Sequence, residues 1–116
     1  MGFRIDSTKD KGIVQIRVEG EIDMFTSPDL RDTLLPCFSS VTKAIVVDLS
    51  GVSFMDSSGI ATLVEGLQWS QNEDREFVLA GLGKTVFNAL SLTKLDNVFS
   101  IEKDMDTALT GLGYKG

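Results

Sequence analysis

The chain has 116 residues, a length that suits one compact domain over residues 1–116. Its 17 acidic and 11 basic residues give a formal net charge of −6, which argues against nonspecific nucleic-acid binding and against attraction to an anionic membrane surface. With one cysteine and no histidine, the sequence excludes an intrachain disulfide and a Cys/His metal site. No apolar run approaches the roughly 20 residues that span a bilayer, so we expect no membrane insertion. The lone cysteine and the absence of a recognisable export signal fit a cytoplasmic protein.

A β-hairpin is predicted at the start of the chain. Residues 3–6 alternate apolar and polar side chains, and in residues 13–18 a set of apolar side chains shares one face against Gln15 and Arg17. Alternation of this kind is typical of strands that bury one face. The residues that follow, 20–23, are expected to leave the strand.

The first helix is predicted to start at Thr26 or Ser27, because either hydroxyl can cap a helix whose first position is taken by Pro28. Apolar residues then recur at helical spacing as far as residues 39–40. Pro36 stands in the last turn and has no backbone N–H to donate, so we expect it to distort or shorten the helix.

A buried strand and a second helix are predicted in the middle of the chain. Residues 44–49 are apolar without alternation, which is typical of a strand covered on both faces. The helix after the next turn carries an apolar stripe and is expected to end at residues 72–75. The stripe consists of Ile60, Leu63, Val64 and Leu67. Trp69 lies on the opposite helical face and is expected to pack under a neighbouring element rather than contact a partner.

Two more pairs of a strand and a helix complete the chain. Residues 77–80 and 98–101 are predicted as short strands. Val86, Phe87 and Leu90 mark a third helix, and an amphipathic helix follows Asp104. The order β-β-α-β-α-β-α-β-α predicts an α/β fold in a single domain, with a mixed, mostly parallel β-sheet, an antiparallel first hairpin and about four α-helices.

The turn before the second helix carries more capping residues than one helix can use. Asp56, Ser57 and Ser58 can each cap free N–H groups, but only one of them can occupy the cap position. Gly59 has no side chain and is expected to let a partner's backbone or a phosphate approach Ser58. If the second and third strands are neighbours, Asp23 comes to the same edge of the sheet. The spare hydroxyl is a cap, a nucleophile or a site that receives a phosphate.

The sequence argues against a serine hydrolase, a nucleotide-binding loop and a metal site. A serine hydrolase needs a base, but the chain has no histidine and its paired serines are not in Gly-x-Ser-x-Gly. Residues 81–85 follow a strand as the phosphate loop of a nucleotide-binding domain does, but Val78 stands where that pattern needs its first glycine. Asp23, Asp48 and Asp56 are expected to be caps and turn residues rather than ligands of a divalent cation. We expect no catalytic residue, cofactor or metal ion.

Two large apolar residues stand in the same turn as the serines. Of Phe54 and Met55, one is expected to join the core while the other is exposed beside Ser58. A phosphoryl group adds about −1.5 to −2 charge, which opposes docking of a desolvated or acidic partner. This combination predicts an interaction surface that can be switched.

The sequence around this turn resembles the STAS domain of bacterial anti-sigma factor antagonists. The resemblance rests on Phe-Met-Asp-Ser-Ser-Gly-Ile at residues 54–60, on Ala-Ile-Val-Val-Asp-Leu at residues 44–49 and on Gly-Glu-Ile-Asp at residues 20–23. It covers nearly the whole chain, including the final helix with Ala108 and Leu109. Asp-Ser-Ser-Gly followed by an aliphatic residue is a fairly specific motif.

The resemblance implies a binding module that is not an enzyme. The unphosphorylated form would bind an anti-sigma factor that is also a serine kinase, and so release the sigma factor for transcription. The kinase would phosphorylate Ser58, and a PP2C-type phosphatase would restore it. Asp23 and Asp56 would be the acidic residues around the phosphoacceptor, with Ser57 as its neighbouring hydroxyl and Gly59 as the motif glycine.

A partner surface and two alternatives follow from this interpretation. The surface is expected to consist of Asp23, Phe54, Met55, Ser57, Ser58 and Ile60. One alternative is a STAS scaffold or accessory module without a phosphorylation cycle, of the kind found in stressosomes, in lipid-transport complexes or as tails of anion transporters. In the other, both serines serve only as helix caps, because serine is favoured at helix starts.

Overall fold

The chain forms a five-stranded β-sheet with helices packed on both faces. The computed structural model describes residues 2–38 and 42–114. The strands are β1 (Arg4–Asp10), β2 (Ile13–Ile22), β3 (Ala44–Met55), β4 (Glu76–Ala80) and β5 (Ser100–Glu102). They lie in the order β1-β2-β3-β4-β5, with β1 antiparallel to β2 and the other neighbours parallel. The predicted α/β fold, with its mixed sheet and antiparallel hairpin, is confirmed.

Four α-helices lie in the described ranges, as the alternation of elements predicts. They are α1 (Ser27–Leu34), α2 (Ser57–Asn72), α3 (Lys84–Leu92) and α4 (Met105–Gly111). Buried side chains of α1, α2 and α3 join one core cluster, whereas those of α4 join a second cluster on the other face of the sheet. Within residues 2–38 and 42–114, no helix has the length and apolar character needed to cross a membrane.

The central strand β3 is covered on both faces. Ile45 and Val47 are fully buried in the cluster with α1, α2 and α3, whereas Ala44 and Val46 are buried in the cluster with α4. Because successive side chains of a strand point to opposite faces, a strand between two helical layers has no polar face. This explains why the sequence of β3 shows no alternation.

The prediction that residues 20–23 leave the strand is wrong for residues 20–22 and correct for Asp23, and the placement of Phe54 and Met55 in a turn is wrong. β2 continues to Ile22, and β3 continues to Met55, which pairs with it. The two strands pair along their whole length, with register irregularities on either side of Gly20, whose φ is +104°. Because β2 and β3 pair with each other, both strands extend through residues whose local sequence is typical of loops.

The outer strands differ from their predicted bounds in opposite ways. β1 is longer than residues 3–6, because the whole of it pairs with β2, from Arg4 opposite Glu19 to Asp10 opposite Ile13. β5 begins at Ser100, later than predicted, because the N–H of Val98 is bonded to the carbonyl of Leu95 in a turn. The antiparallel hairpin is therefore the more extensive edge of the sheet.

The first helix is short, as Pro36 predicts. Thr26 is its N-cap residue, Ser27 is its first helical residue, and Pro28 follows. α1 ends at Leu34, and Pro36 lies in a single 3-10 turn over Leu35–Cys37. The predicted helix end at residues 39–40 lies outside the described residues.

Candidate functional site

The carboxyl ends of β2 and β3 meet at one edge of the sheet. Ile22 and Met55 are paired, and the backbone N–H of Asp56 donates to the carbonyl of Ile22 at 3.0 Å. Strands two and three are neighbours, which is the condition under which Asp23 comes to the same edge of the sheet as Ser58. This bond fixes the start of α2 against the end of β2, so the residues after both strands form one site.

Asp56 is the helix cap that the sequence left open among three candidates. Its Oδ1 accepts from the backbone N–H of Ser58 at 2.9 Å and, less closely, from that of Gly59 at 3.4 Å. The same oxygen accepts from the hydroxyl of Ser58 at 2.6 Å. One carboxylate oxygen thus serves both the helix terminus and a serine side chain, and neither serine is needed as the cap.

These bonds stabilise the ionised form of Asp56. The hydroxyl of Ser58 is the largest cause that holds the pKa of Asp56 below its ordinary value of 3.8. Partial burial opposes this, whereas the backbone N–H groups of Ser58, Gly59 and Met24 also lower the pKa. At neutral pH the site therefore contains a carboxylate beside the Ser58 hydroxyl.

The two serines differ in exposure and in bonding. Ser57 is exposed, and no hydrogen bond of its hydroxyl is found among the described residues. Ser58 is half-buried and its hydroxyl is held by Asp56. Both hydroxyls lie in the first turn of α2, where free N–H groups favour an anion.

The interpretation of Gly59 as clearance for an approaching partner needs correction. Gly59 is buried, and a Cβ atom at this position would lie 2.6 Å from Cγ2 of Ile22 and 2.6 Å from Cγ of Met55. The glycine therefore lets the first turn of α2 pack onto the ends of β2 and β3. Its role in the free protein is internal packing.

Two of the predicted partner contacts are also corrected. Met55 is 3% exposed and Ile60 is 7% exposed, because both side chains point into the core cluster beneath α2. Neither offers a surface to a partner in this conformation. Phe54, which alternates with Met55 along β3, is 43% exposed and keeps its predicted place on the surface.

Asp23 shapes the loop between β2 and α1. Its Oδ1 accepts from the backbone N–H groups of Phe25 at 2.9 Å and Thr26 at 3.1 Å, and from the Thr26 hydroxyl at 3.2 Å. The Thr26 hydroxyl in turn donates to the carbonyl of Glu21 at 2.8 Å. Asp23 thus lies at the predicted edge, but the bonds of its carboxylate go to its own loop.

The loop that Asp23 stabilises presents two large apolar side chains that the sequence analysis missed. Phe25 is 83% exposed and Met24 is 68% exposed. Together with Phe54 they form the apolar rim, three exposed side chains at the end of the sheet that carries Ser58. Two adjacent apolar residues between a strand and a helix cap were the available signal, the same one that drew attention to Phe54.

The residues considered for cation or nucleotide binding have structural roles. Asp48 is buried, and its Oδ2 lies 3.2 Å from Nε of Arg17. Gly81 has a φ of +71°, and a Cβ there would lie 3.0 Å from Cβ of Ser50, so it forms a tight turn before α3. In the part of the chain that the structure describes, no group of three acidic or cysteine side chains could hold a metal ion.

Trp69 packs as predicted. Its ring lies edge to face with Phe38, with centroids 5.5 Å apart, and the guanidinium of Arg31 lies 5.5 Å from the ring centroid. Trp69 therefore helps to join α2 to the segment that follows α1. It lies outside the Ser58 site.

Comparison with known proteins links this arrangement to a named family. The family model described as STAS domain matches residues 4–108. An anti-sigma-B factor antagonist of Staphylococcus aureus is 28% identical over 103 residues, which cover 89% of this chain and 95% of that protein. An anti-sigma factor antagonist from Mycobacterium paratuberculosis superposes with a TM-score of 0.87 at 28% identity, covering 97% of this chain and 95% of that one. The Bacillus cell fate determinant SpoIIAA in its phosphorylated form superposes with a TM-score of 0.74 at 18% identity, covering 96% and 99%.

Proposed function

The chain belongs to the STAS domain family, and we propose that it is an anti-sigma factor antagonist whose binding to an anti-sigma factor serine kinase is switched off by phosphorylation of Ser58. The names of its relatives from Staphylococcus aureus and Mycobacterium paratuberculosis support the antagonist role. The observation that carries the switch is the position of Ser58. Its hydroxyl lies in the first turn of α2, at the same end of the sheet as the apolar rim.

The apolar rim is the proposed contact for the kinase. Met24, Phe25 and Phe54 keep 68%, 83% and 43% of their surfaces exposed, which leaves apolar area that a partner can bury. Asp23 holds the loop that carries two of these side chains through bonds to Phe25 and Thr26. A loop fixed before binding loses less entropy when a partner docks.

Phosphorylation of Ser58 would add negative charge at the end of the sheet that carries the apolar rim. A phosphoryl group on Ser58 adds about −1.5 to −2 charge beside the Asp56 carboxylate, in a protein whose formal charge is already −6. A penalty of about 2.7 kcal/mol weakens binding about a hundredfold. The kinase would thus release the protein that it has modified, and a PP2C-type phosphatase would restore the binding form. We place this cycle in the cytoplasm, where sigma factors act.

Binding and phosphorylation of Ser58 variants test the proposal. The probe is an anti-sigma factor serine kinase encoded by a gene next to the gene of this protein. Its binding to each variant is measured by calorimetric titration, and phosphorylation is measured by mass spectrometry after incubation with the kinase and ATP. We expect one phosphate on Ser58 of the wild type, stable binding but no phosphate for Ser58→Ala, and at least about a hundredfold weaker binding for Ser58→Asp. Ser91→Ala, which removes the hydroxyl of a half-buried serine on α3, is the matched control and should keep both binding and phosphorylation.

Two results would contradict the proposal. Binding of Ser58→Asp as tight as that of the wild type would remove the switch. Binding without any phosphate on Ser58 would indicate instead a scaffold or accessory STAS module of the stressosome or lipid-transport type. That alternative gains no support from the names of the relatives from Staphylococcus aureus and Staphylococcus epidermidis, which are anti-sigma-B factor antagonists.

A further inference from the structure

Two neighbouring serines, Ser57 and Ser58, lie in the first turn of α2, and each has a hydroxyl that can in principle accept a phosphate. Ser57 is the more exposed of the two, so accessibility alone favours it. What distinguishes Ser58 is its bond to Asp56, since the hydroxyl donates to Oδ1 at 2.6 Å while the Ser58 backbone N–H donates to the same oxygen at 2.9 Å. Selection of Ser58 therefore needs a cause other than exposure.

We propose that Asp56 orients the Ser58 hydroxyl and accepts its proton, which makes Ser58, and not Ser57, the phosphoacceptor; this inference rests on the proposed function. The hydrogen bond holds the Ser58 side chain in one orientation and directs its proton toward the carboxylate. The lone pairs of Oγ are thereby turned away from Asp56, and the ionised acceptor raises the electron density on Oγ. The Ser57 hydroxyl has no such partner among the described residues and is free to rotate.

This arrangement places the Ser58 hydroxyl for phosphoryl transfer from ATP. Oγ of Ser58 attacks the γ-phosphorus of ATP bound by the kinase, so that the Oγ–P bond forms as the bond from phosphorus to the ADP oxygen breaks. The hydroxyl proton passes along the existing hydrogen bond to Oδ1 of Asp56 and from there to solvent. Because phosphoryl transfer depends mainly on positioning and electrostatics, an acceptor held in place before the kinase binds removes part of the barrier.

Asp23, the other carboxylate at this edge, does not position a serine hydroxyl. Oδ1 of Asp23 already accepts three hydrogen bonds from Phe25 and Thr26 within its own loop. Oδ1 of Asp56, by contrast, accepts hydrogen bonds from the first turn of α2, including the one from the reacting hydroxyl. The positioning role is therefore assigned to Asp56 alone.

The test compares Asp56→Gly with Asp104→Gly. Glycine is tolerated at a helix cap, so Asp56→Gly removes the acceptor at small cost to folding. Asp104 caps α4 by accepting from the Thr107 backbone N–H at 2.8 Å, which makes Asp104→Gly a matched change away from the serines. Each variant is incubated with ATP and the kinase that phosphorylates the wild type, and the phosphate is located by tandem mass spectrometry.

We expect the wild type and Asp104→Gly to carry phosphate on Ser58 only. In Asp56→Gly the phosphate should divide between Ser57 and Ser58, and kcat should fall about tenfold or more while KM changes little. A purely structural role would leave the choice between the serines unchanged. Phosphate on Ser58 alone, with kcat within about twofold of the wild type, would overturn the inference.

A second variant keeps the test decisive if the glycine variant is unstable. Asp56→Asn retains a good helix cap but replaces the carboxylate that receives the proton with an amide. We expect it to keep Ser58 as the acceptor with a lower kcat, and an unchanged kcat would overturn the role of the carboxylate. Absence of phosphate on wild-type Ser58 would instead contradict the proposed function itself.

Discussion

The hydroxyl of Ser58 donates a 2.6 Å hydrogen bond to Oδ1 of Asp56, the same oxygen that caps α2. Helix stability and the state of the serine are therefore connected through one atom. A change to either residue alters the capping of the helix on which the proposed phosphorylation site lies. Stability measurements can thus report on the site without any partner.

Replacing Asp56 with alanine should destabilise the protein. The variant loses the acceptor for two backbone N–H groups of the first turn of α2. Loss of an N-cap side chain costs about 1 kcal/mol of the free energy of unfolding, which corresponds to about 4 °C in the melting temperature for a chain of this length. Urea and thermal unfolding followed by circular dichroism measure both quantities. Asp56→Asn should lose clearly less, and equal losses in the two variants would contradict a capping role.

Stability should fall in acid, in part through Asp56. Its pKa is lowered in the folded protein relative to the ordinary value of 3.8, mainly by the Ser58 hydroxyl. Between the two pKa values the unfolded chain binds more protons than the folded one, so the free energy of unfolding rises with pH in that window. The contribution is fully present above 3.8 and is lost as the pH falls through the folded pKa. The pKa of Asp104 is also lowered, because its carboxylate is hydrogen-bonded to Thr107, so Asp104 contributes to the same loss of stability in acid.

Urea unfolding of the wild type and of Asp56→Asn across this acidic range measures the effect. The difference in free energy of unfolding between the two proteins should shrink as the pH falls below 3.8. Asp104→Asn is the control for the second lowered carboxyl group. A difference between wild type and Asp56→Asn that does not change with pH would mean that Asp56 has no lowered pKa.

Gly59→Ala should unfold more easily than the wild type. The added methyl group would lie 2.6 Å from atoms of Ile22 and Met55 in a buried site. Overpacking of this kind costs about 1–3 kcal/mol. Gly111→Ala is the control, because nothing lies within 4 Å of the added Cβ at the end of α4. If Gly59→Ala were as stable as the wild type yet failed to bind the kinase, the clearance role expected from the sequence would be restored.

Phe25→Ser should weaken kinase binding without loss of stability. Phe25 is 83% exposed, so its removal leaves the core unchanged and stability should stay within about 0.5 kcal/mol. As a central apolar contact it should contribute about 1.4 kcal/mol or more to binding, a tenfold change in Kd. Leu92→Ser, on α3 and 84% exposed, is the control and should bind as the wild type does. Calorimetric titration with the kinase measures both, and equal affinities for the two variants would remove the apolar rim from the contact.

The order of helices and strands was predictable because the spacing of apolar residues along the chain differs between the two kinds of element. β3 lacks alternation because helices cover both of its faces, and the stripe from Ile60 to Leu67 has helical spacing. Pro36 shortened the first helix for a reason that lies in proline itself. Features of this kind depend on residues near one another in the chain.

The ends of β2 and β3 and the role of Gly59 were not predictable in the same way. The strands continue because Glu21 and Phe54 pair across more than thirty residues of sequence, which no local pattern reports. Gly59 was expected to let a partner or a phosphate approach Ser58, because the side chains of Ile22 and Met55 that crowd it come from two separate strands and are not apparent in the local sequence. Met24 and Phe25 of the apolar rim were missed, although two adjacent apolar residues between a strand and a helix cap were a local signal for an exposed pair.

The bond from the Asp56 N–H to the carbonyl of Ile22 has a consequence for how an enzyme can recognise this serine. Because the start of α2 is fixed by a strand more than thirty residues earlier in the chain, the arrangement around Ser58 is a conformational epitope rather than a linear one. A short peptide with the same residues would lack both the helical turn and the bond to β2. A kinase that acts on this protein would therefore read its folded shape, and a chain that is misfolded at this edge would escape modification.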